Sequence, residues 1–323
     1  MALLLAGIDE AGYGPTLGPL CVGMSLFRVR DWNPGEEAPD LWRMLDSAVC
    51  KKPTDARRRV PIADSKALKL ANDSKTRHPL VHLERGVLAF LKGMADAAPG
   101  TDAELFARLG SVMESSPWYG GGATTLPVGT SEGELAIAAS RIAGACEMAG
   151  VELLDLRCVV VPESTFNETV KRTGSKGDTT ALALGRHLRA MFERTDFCAN
   201  DARVVCDQLG GRTQYEALLA RELPGTAVRP LAETEARSRY GLGEKAIIQF
   251  MPEAESAHLP VALASMVAKL VRELAMMRFN RYWCGRVPEL KPTAGYSTDA
   301  RRWLTEMREV LAPAERAAMV RIA

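Results

Sequence analysis

The sequence is poor in the residues that build soft-metal and redox sites. It has four histidines and seven cysteines. The cysteines, at 21, 50, 146, 158, 198, 206 and 284, show neither CxxC nor Cys/His spacing. That scatter argues against a zinc site, and the odd count fits reduced thiols in a cytoplasmic protein. The N-terminal MALLLAGID is too short to cross a bilayer, and it lacks the basic start and small-residue cleavage site of a secretory signal. An excess of positive charge is also missing. Lysine and arginine number 41 against 40 acids, a net charge of +1. A nucleic-acid surface could therefore only be local. KKPTDARRR (51–59) and KLVRELAMMRFNRYWCGR (269–286) are the candidate patches. By charge alone both read as solvated helix faces.

Several motifs fail as well. Gly12 and Gly14 begin a GxGxxG pattern, but Leu17 stands where the third glycine belongs and Pro15 intrudes. No GK[ST] follows to make a phosphate loop, and GxSxG and HExxH are absent. What the chain does have is 323 residues, 47% apolar and 25% charged, which is enough for a large core.

Apolar runs at 3–9, 20–29, 153–163, 202–207 and 246–251 predict strands, the last paired with ARSRYGL across Gly243. VPIADSKAL (60–68) reads as an extended segment entering a loop. Helical spacing covers 79–98, 134–150, 178–194, 213–223, 260–283 and 299–311. Gly150 suits a helix C-cap, Asp178 an N-cap and first-turn acid, and Pro260 a first turn. Residues 99–131, with SSPWYGGGATTLPVGTSEG, predict an irregular insertion. Within it, Trp118 and Tyr119 could stack on nucleic acid or anchor the insertion, and the second is favoured. Strands mixed with helices give an α/β class, and the absence of repeats or a linker points to one domain over 1–323.

GIDEAGYGPTLGPL (7–20) sets Asp9 and Glu10 against a glycine turn. Neighbours on a regular strand point to opposite faces. Both can serve one site only if the strand stops there. Asp207 also closes a predicted strand, where functional side chains are often found. Glu255 lies in PEAES, which alone reads as a solvated loop. Carboxylates without histidine suit hard cations such as Mg²⁺ or Mn²⁺ and phosphoryl chemistry.

The ordered set of motifs resembles the type 2 ribonuclease H (ribonuclease HII) family, closest to the catalytic subunit of its eukaryotic and archaeal members. The likeness rests on Asp9-Glu10-Ala11-Gly12-Tyr13-Gly14-Pro15, on Asp64-Ser65-Lys66, and on DTTALALGRHL. It continues through VVCDQLGGRTQYEALLARELPG with Asp207, then ESAHLPVALASMVAKLVRE, and ends at GYSTDARRWL with Tyr296. It covers most of the chain. Two positions depart from the family: Tyr13 stands where it has arginine, and Glu255 where it has aspartate. Glu253 is the reserve candidate in that stretch.

The resemblance implies a ribonuclease H-like mixed sheet of about five strands flanked by helices, with a helical C-terminal part. It also implies insertions at about 99–131 and 228–250. It implies cleavage of the RNA strand in RNA–DNA hybrids, or at ribonucleotides embedded in duplex DNA. Two divalent ions, Mg²⁺ or Mn²⁺, would lie on Asp9, Glu10, Asp207 and Glu255. Gly12, Tyr13 and Gly14 would approach the 2′-hydroxyl, Ser65 and Lys66 a phosphate, and Tyr296 the neighbouring sugar. A monomer is expected. Two alternatives remain open: a divergent member that binds hybrid duplex with weak or no cleavage, and a nuclease of different substrate preference on the same fold.

Overall fold

The structure is a computed structural model and describes residues 1–55, 58–95 and 97–322. Positions 56 and 57 of the basic segment 51–59, and position 96 of the helix expected over 79–98, lie outside the described residues.

The apolar start of the chain becomes a central strand. β1 (Leu3–Ala11) is buried along almost its whole length, as expected of a strand covered on both faces. It pairs antiparallel with β2 (Leu20–Val29). The short strands β3 (Val49–Cys50) and β4 (Val60–Pro61) form a separate parallel pair. β5 (Val151–Val161) lies outside β2. On the other side of β1, β6 (Asp201–Asp207) pairs in parallel. β7 (Val228–Glu233), β8 (Ser238–Leu242) and β9 (Ala246–Met251) follow. Among the described residues the main sheet has seven strands in the order β5-β2-β1-β6-β9-β8-β7. Five of these make the expected mixed sheet. β8, the expected partner of β9 across Gly243, and β7 lie in the segment 228–250 and extend the sheet's edge as an antiparallel hairpin onto β9.

Two apolar layers cover the sheet. On one face lie the helices Val81–Ala95, Glu132–Ala149 and Leu259–Arg286. On the other lie Gly177–Phe192 and Glu216–Glu222 with Phe166 of Glu163–Thr173. The long helix Leu259–Arg286 begins with Pro260 in its first turn and sits almost directly on β1 and β2. A Cβ on Gly7 would come within 2.1 Å of the Pro260 backbone, and one on Gly23 within 2.1 Å of Ala264. The small residues Ala262, Ala264, Ser265 and Ala268 match those glycines, so helix and sheet backbones meet closely. Ser25 Oγ adds a hydrogen bond of 2.7 Å to the Pro260 carbonyl.

Several expectations change. The segment 269–286 is not a solvated face. Arg272 is fully buried, and Lys269 and Arg278 nearly so. The reason is that charges within the fold claim them: Arg278 grips Asp102 through two 2.7 Å bonds. Asp102 opens a short helix, Asp102–Arg108, inside the otherwise irregular stretch 99–131, so this pair ties the stretch to the long helix. Trp118 and Tyr119 anchor the same stretch. Both are buried, Trp118 stacking on Trp283 at 6.2 Å and Tyr119 donating to Glu163 at 2.5 Å. Asp178 is not a cap but a first-turn acid, because the backbone is already helical at Lys176. The segment after β4 turns helical at Ser65–Leu68, with Asp64 capping the Lys66 N–H at 3.0 Å. The last expected helix ends early, at Glu306, and another follows at Pro313–Met319.

Candidate active site

β1, β6 and β9 run parallel to one another, and the site lies at their C-terminal ends. The β1–β6 ladder stops at the pair Ile8–Cys206. Asp9 is the next residue on β1 and Asp207 the next on β6. Asp207 faces Met251 at the end of β9, and the turn Ala254–Ala257 just beyond carries Glu255. β1 continues to Ala11 only on its β2 side. The strand therefore does not stop at the two acids, as the sequence reading required; both remain in ladder with β2.

The electrostatics show that the four carboxylates share a neighbourhood. Burial, then the charges of Glu10 and Asp207, push the Asp9 carboxyl well above the usual range. Burial and the charge of Asp207 carry Glu10 up to about 7, with Lys66 pulling against them. Burial raises Asp207, against N–H groups of Ala254 and Gln208 that stabilise its anion. Glu255 is raised by burial, with Asp207 and Asp64 adding to the effect. Desolvation and like charge both favour the neutral acid. Among the described residues, however, no three His, Cys, Asp or Glu side chains are gathered closely enough to hold a metal ion. The acids form a repelling group and not a finished coordination shell.

Lys66 is the cation of this group, since its charge acts on Glu10, Asp207 and Glu255 alike. Ser65 is buried and receives a 2.9 Å hydrogen bond from Ser265, whose hydroxyl also bears on Asp9. Glu253 precedes the turn in a left-handed conformation, φ 52°, and its N–H bears on Asp207. Its backbone thus serves the site while Glu255 supplies the carboxylate field.

The two glycines of the loop differ. Gly12 has φ 93°, and a Cβ there would lie 2.6 Å from Arg272 Nε and 2.7 Å from the Pro19 carbonyl. The fold itself requires glycine at 12. At Gly14 an added Cβ meets nothing within 4 Å. The loop is pinned from behind. Arg321 donates to the Gly12 carbonyl at 2.5 Å and the Tyr13 carbonyl at 2.7 Å, and its own N–H reaches Thr16. Gly295, which accepts from the Thr16 and Leu17 N–H groups, sets Tyr296 beside the same loop. Tyr296 is 44% exposed, with Lys269 Nζ 3.4 Å from its hydroxyl and the Arg272 guanidinium 5.1 Å from its ring.

Sequence reading missed two cations. Arg321 lies far from any motif, near the end of the chain. Arg212 follows Gly210 and Gly211, both left-handed at φ 58° and 77°. Together Arg212 and Arg321 partly offset the upward push of burial and Glu10 on the Tyr13 phenol. Gly210 closes against that ring, its Cβ position 3.3 Å from the Tyr13 hydroxyl. Paired glycines ahead of an arginine, just past a strand-end aspartate, were the available signal for Arg212. Nothing local marked Arg321.

No family model matches the chain. Among curated proteins, likewise, none matches. Solved structures do resemble it. A chain from the PCNA–RNase HII complex of Archaeoglobus fulgidus aligns over 99% of this chain and 94% of its own, at 14% identity and TM-score 0.44. Ribonuclease H2 of Pyrococcus horikoshii OT3 aligns over 97% and 92%, at 16% identity and TM-score 0.43. Bst-RNase HIII in complex with Mn²⁺ aligns over 99% and 66%, at 15% identity and TM-score 0.44. The functional reading therefore rests on the chain's own motifs and geometry. No helix among the described residues is long and apolar enough to cross a membrane.

Proposed function

We propose that this chain is a metal-dependent endoribonuclease. Its substrates would be the RNA strand of RNA–DNA hybrids or ribonucleotides embedded in duplex DNA. The observation that carries the reading is the shared neighbourhood of Asp9, Glu10, Asp207 and Glu255 near the C-terminal ends of three parallel strands, each acid raised by burial and most by one another's charge.

The donor set fits hard divalent cations. It offers carboxylate oxygens and no imidazole or thiolate, and Mg²⁺ and Mn²⁺ prefer such ligands. Burial of acids that repel one another is costly, and a dication would relieve it. Asp9, Glu10, Asp207 and Glu255 would hold the ions. When bound, such ions supply an activated water and stabilise the leaving oxygen. Everything else falls to the chain. Lys66, whose charge acts on three of the acids, would hold a substrate phosphate. The open backbone at Gly14 gives room for a ribose, whose 2′-hydroxyl distinguishes RNA from DNA. Tyr296 would pack its exposed ring against the adjacent sugar. We take the chain as a single domain acting as a monomer.

A second reading, binding without efficient cleavage, draws on the absence of a finished metal shell among the described residues. One experiment separates the two. Hybrid duplex, DNA carrying one ribonucleotide and all-DNA duplex are incubated with Mg²⁺ or Mn²⁺, while metal-induced thermal stabilisation is measured in parallel. Cleavage confined to the ribose-containing substrates supports the enzyme. Duplex binding with neither cleavage nor metal stabilisation supports the second reading.

A further inference from the structure

The hairpin β7–β8 creates a surface that the acid site does not use. On β6 and β9, Val204, Cys206, Ile248 and Phe250 face one apolar layer. The alternate residues face the other way. Arg203 of β6 lies opposite Ile247 of β9, which lies opposite Gly241 of β8 and then Arg229 of β7. In the next row Val205, Gln249 and Arg239 stand side by side. The long helix covers this face over β1 and β2. Beyond β6 a cleft of about 400 Å³ remains, walled by the loop 35–38 and His258.

The cleft has an unusual charge state. Arg203, Arg237 and Arg239 line it, and Arg229 lies at its edge, its Nη2 3.2 Å from the Cβ position of Gly241. Among the described residues none of the four has a carboxylate within ion-pair distance. Arg203 donates to the neighbouring Ala202 carbonyl, at 3.0 Å, and lies 5.6 Å over the Trp32 ring, a contact that leaves its charge without an anion. Arg239 Nε is buried with no hydrogen-bond partner. Burial lowers the Arg203 guanidinium; Asp201 opposes this, and the charge of Arg239 adds to it, so the two arginines are close enough to repel. Glu36 and Glu37 are on the facing loop, but both are exposed at the mouth. Unpaired, partly buried guanidinium groups carry a desolvation cost that an anion would offset.

We propose that this arginine cleft binds the phosphodiester backbone of a nucleic-acid duplex, as a site separate from the acid cluster. Its position supports that occupant. Arg203, Val205 and Asp207 alternate onto one face of β6, so Arg203 lies roughly 13 Å from Asp207 along the strand. The turn carrying Ala254 covers Val205 between them. A duplex gains one phosphate per strand for about every 3.4 Å of axis. One seated at the acids would thus bring backbone to the cleft about four base pairs away. This step rests on the nuclease reading only in supposing that the same duplex reaches both places.

The test uses the full chain with a labelled all-DNA duplex of about 24 base pairs, in chelator, so that cleavage plays no part. Arg203→Gln/Arg239→Gln should weaken binding about tenfold and reduce the salt slope by about two. Arg229→Glu/Arg237→Glu, at exposed positions that do not hold the fold, should also weaken it. Lys171→Gln/Arg172→Gln, at exposed positions on the helix Glu163–Thr173 across the sheet, should leave it near wild type. Equal loss in the Lys171/Arg172 variant, or no loss in the cleft variants, overturns the proposal. So does binding of a polyglutamate peptide with no binding of the duplex. A loss confined to the cleft variants in a protein that cleaves nothing keeps the cleft and removes the nuclease reading.

Discussion

Replacing Asp207 by asparagine should stabilise the metal-free protein at alkaline pH. Asp207 supplies the largest charge contribution raising Glu10, whose carboxyl lies at about 7 against 4.5 in the open chain. A raised acid binds its proton more tightly in the folded state. Stability is therefore full below the unfolded value and falls as pH rises toward 7. The whole shift corresponds to about 3 kcal/mol, of which burial is the larger part. Removing one neighbouring charge should return about 1 kcal/mol, or roughly 2 °C in Tm for a chain of this size. Asparagine retains an oxygen for the Ala254 N–H, 3.4 Å away, so little else is lost. Calorimetry in chelator at pH 8 and pH 5 would show the gain at pH 8 and its disappearance at pH 5, where Glu10 is neutral in both proteins. Adding Mg²⁺ or Mn²⁺ should raise the wild-type Tm and leave the variant nearly unmoved. A lower Tm at pH 8 in chelator, or the same gain at both pH values, would refute the argument.

Other variants around the site have expected outcomes too. Glu255→Ala should abolish cleavage whereas Glu253→Ala should reduce it only modestly; the reverse result would move the fourth ligand to Glu253. Gly12→Ala should cost about 1–3 kcal/mol in denaturant melts, since its backbone is left-handed and Arg272 fills the Cβ position. Gly14→Ala should unfold like wild type but lose kcat/KM on a ribonucleotide substrate, and equal turnover would dismiss Gly14 as the ribose-facing position. Tyr13→Arg should change duplex affinity less than about threefold, because Arg212 and Arg321 already place positive charge there. Arg212→Gln, in contrast, should lower the salt slope by about one. A large gain from Tyr13→Arg would mean that no cation stands in for an arginine at 13.

The sheet was readable because its strands are short apolar runs closed by turn residues. Pro260 announced the first turn of the long helix, and that helix does start there. The acids at 9, 10 and 207 were readable as strand-end carboxylates. Glu255 was named only through the family resemblance, because its stretch by itself looks like any acidic loop. Lys269, Arg272 and Arg278 were misread as a solvated face because charge pattern reports neither the carboxylate nor the carbonyls that receive buried cations. Gly12 and Gly14 looked equivalent in sequence; what separates them is the left-handed backbone at Gly12 and the Pro19 carbonyl and Arg272, some 260 residues away, that crowd it. Arg321 lay beyond local reasoning for the same cause: its partners are the carbonyls of residues 12 and 13.

The most direct test of the account is cleavage of a DNA duplex carrying a single ribonucleotide, with Mg²⁺ and then Mn²⁺, by wild type and by Asp9→Asn. The account predicts a cut at the ribonucleotide by wild type, none in the all-DNA control, and near-complete loss in Asp9→Asn with the protein still folded. Near-normal turnover in Asp9→Asn, or equal cutting of the all-DNA duplex, would contradict it.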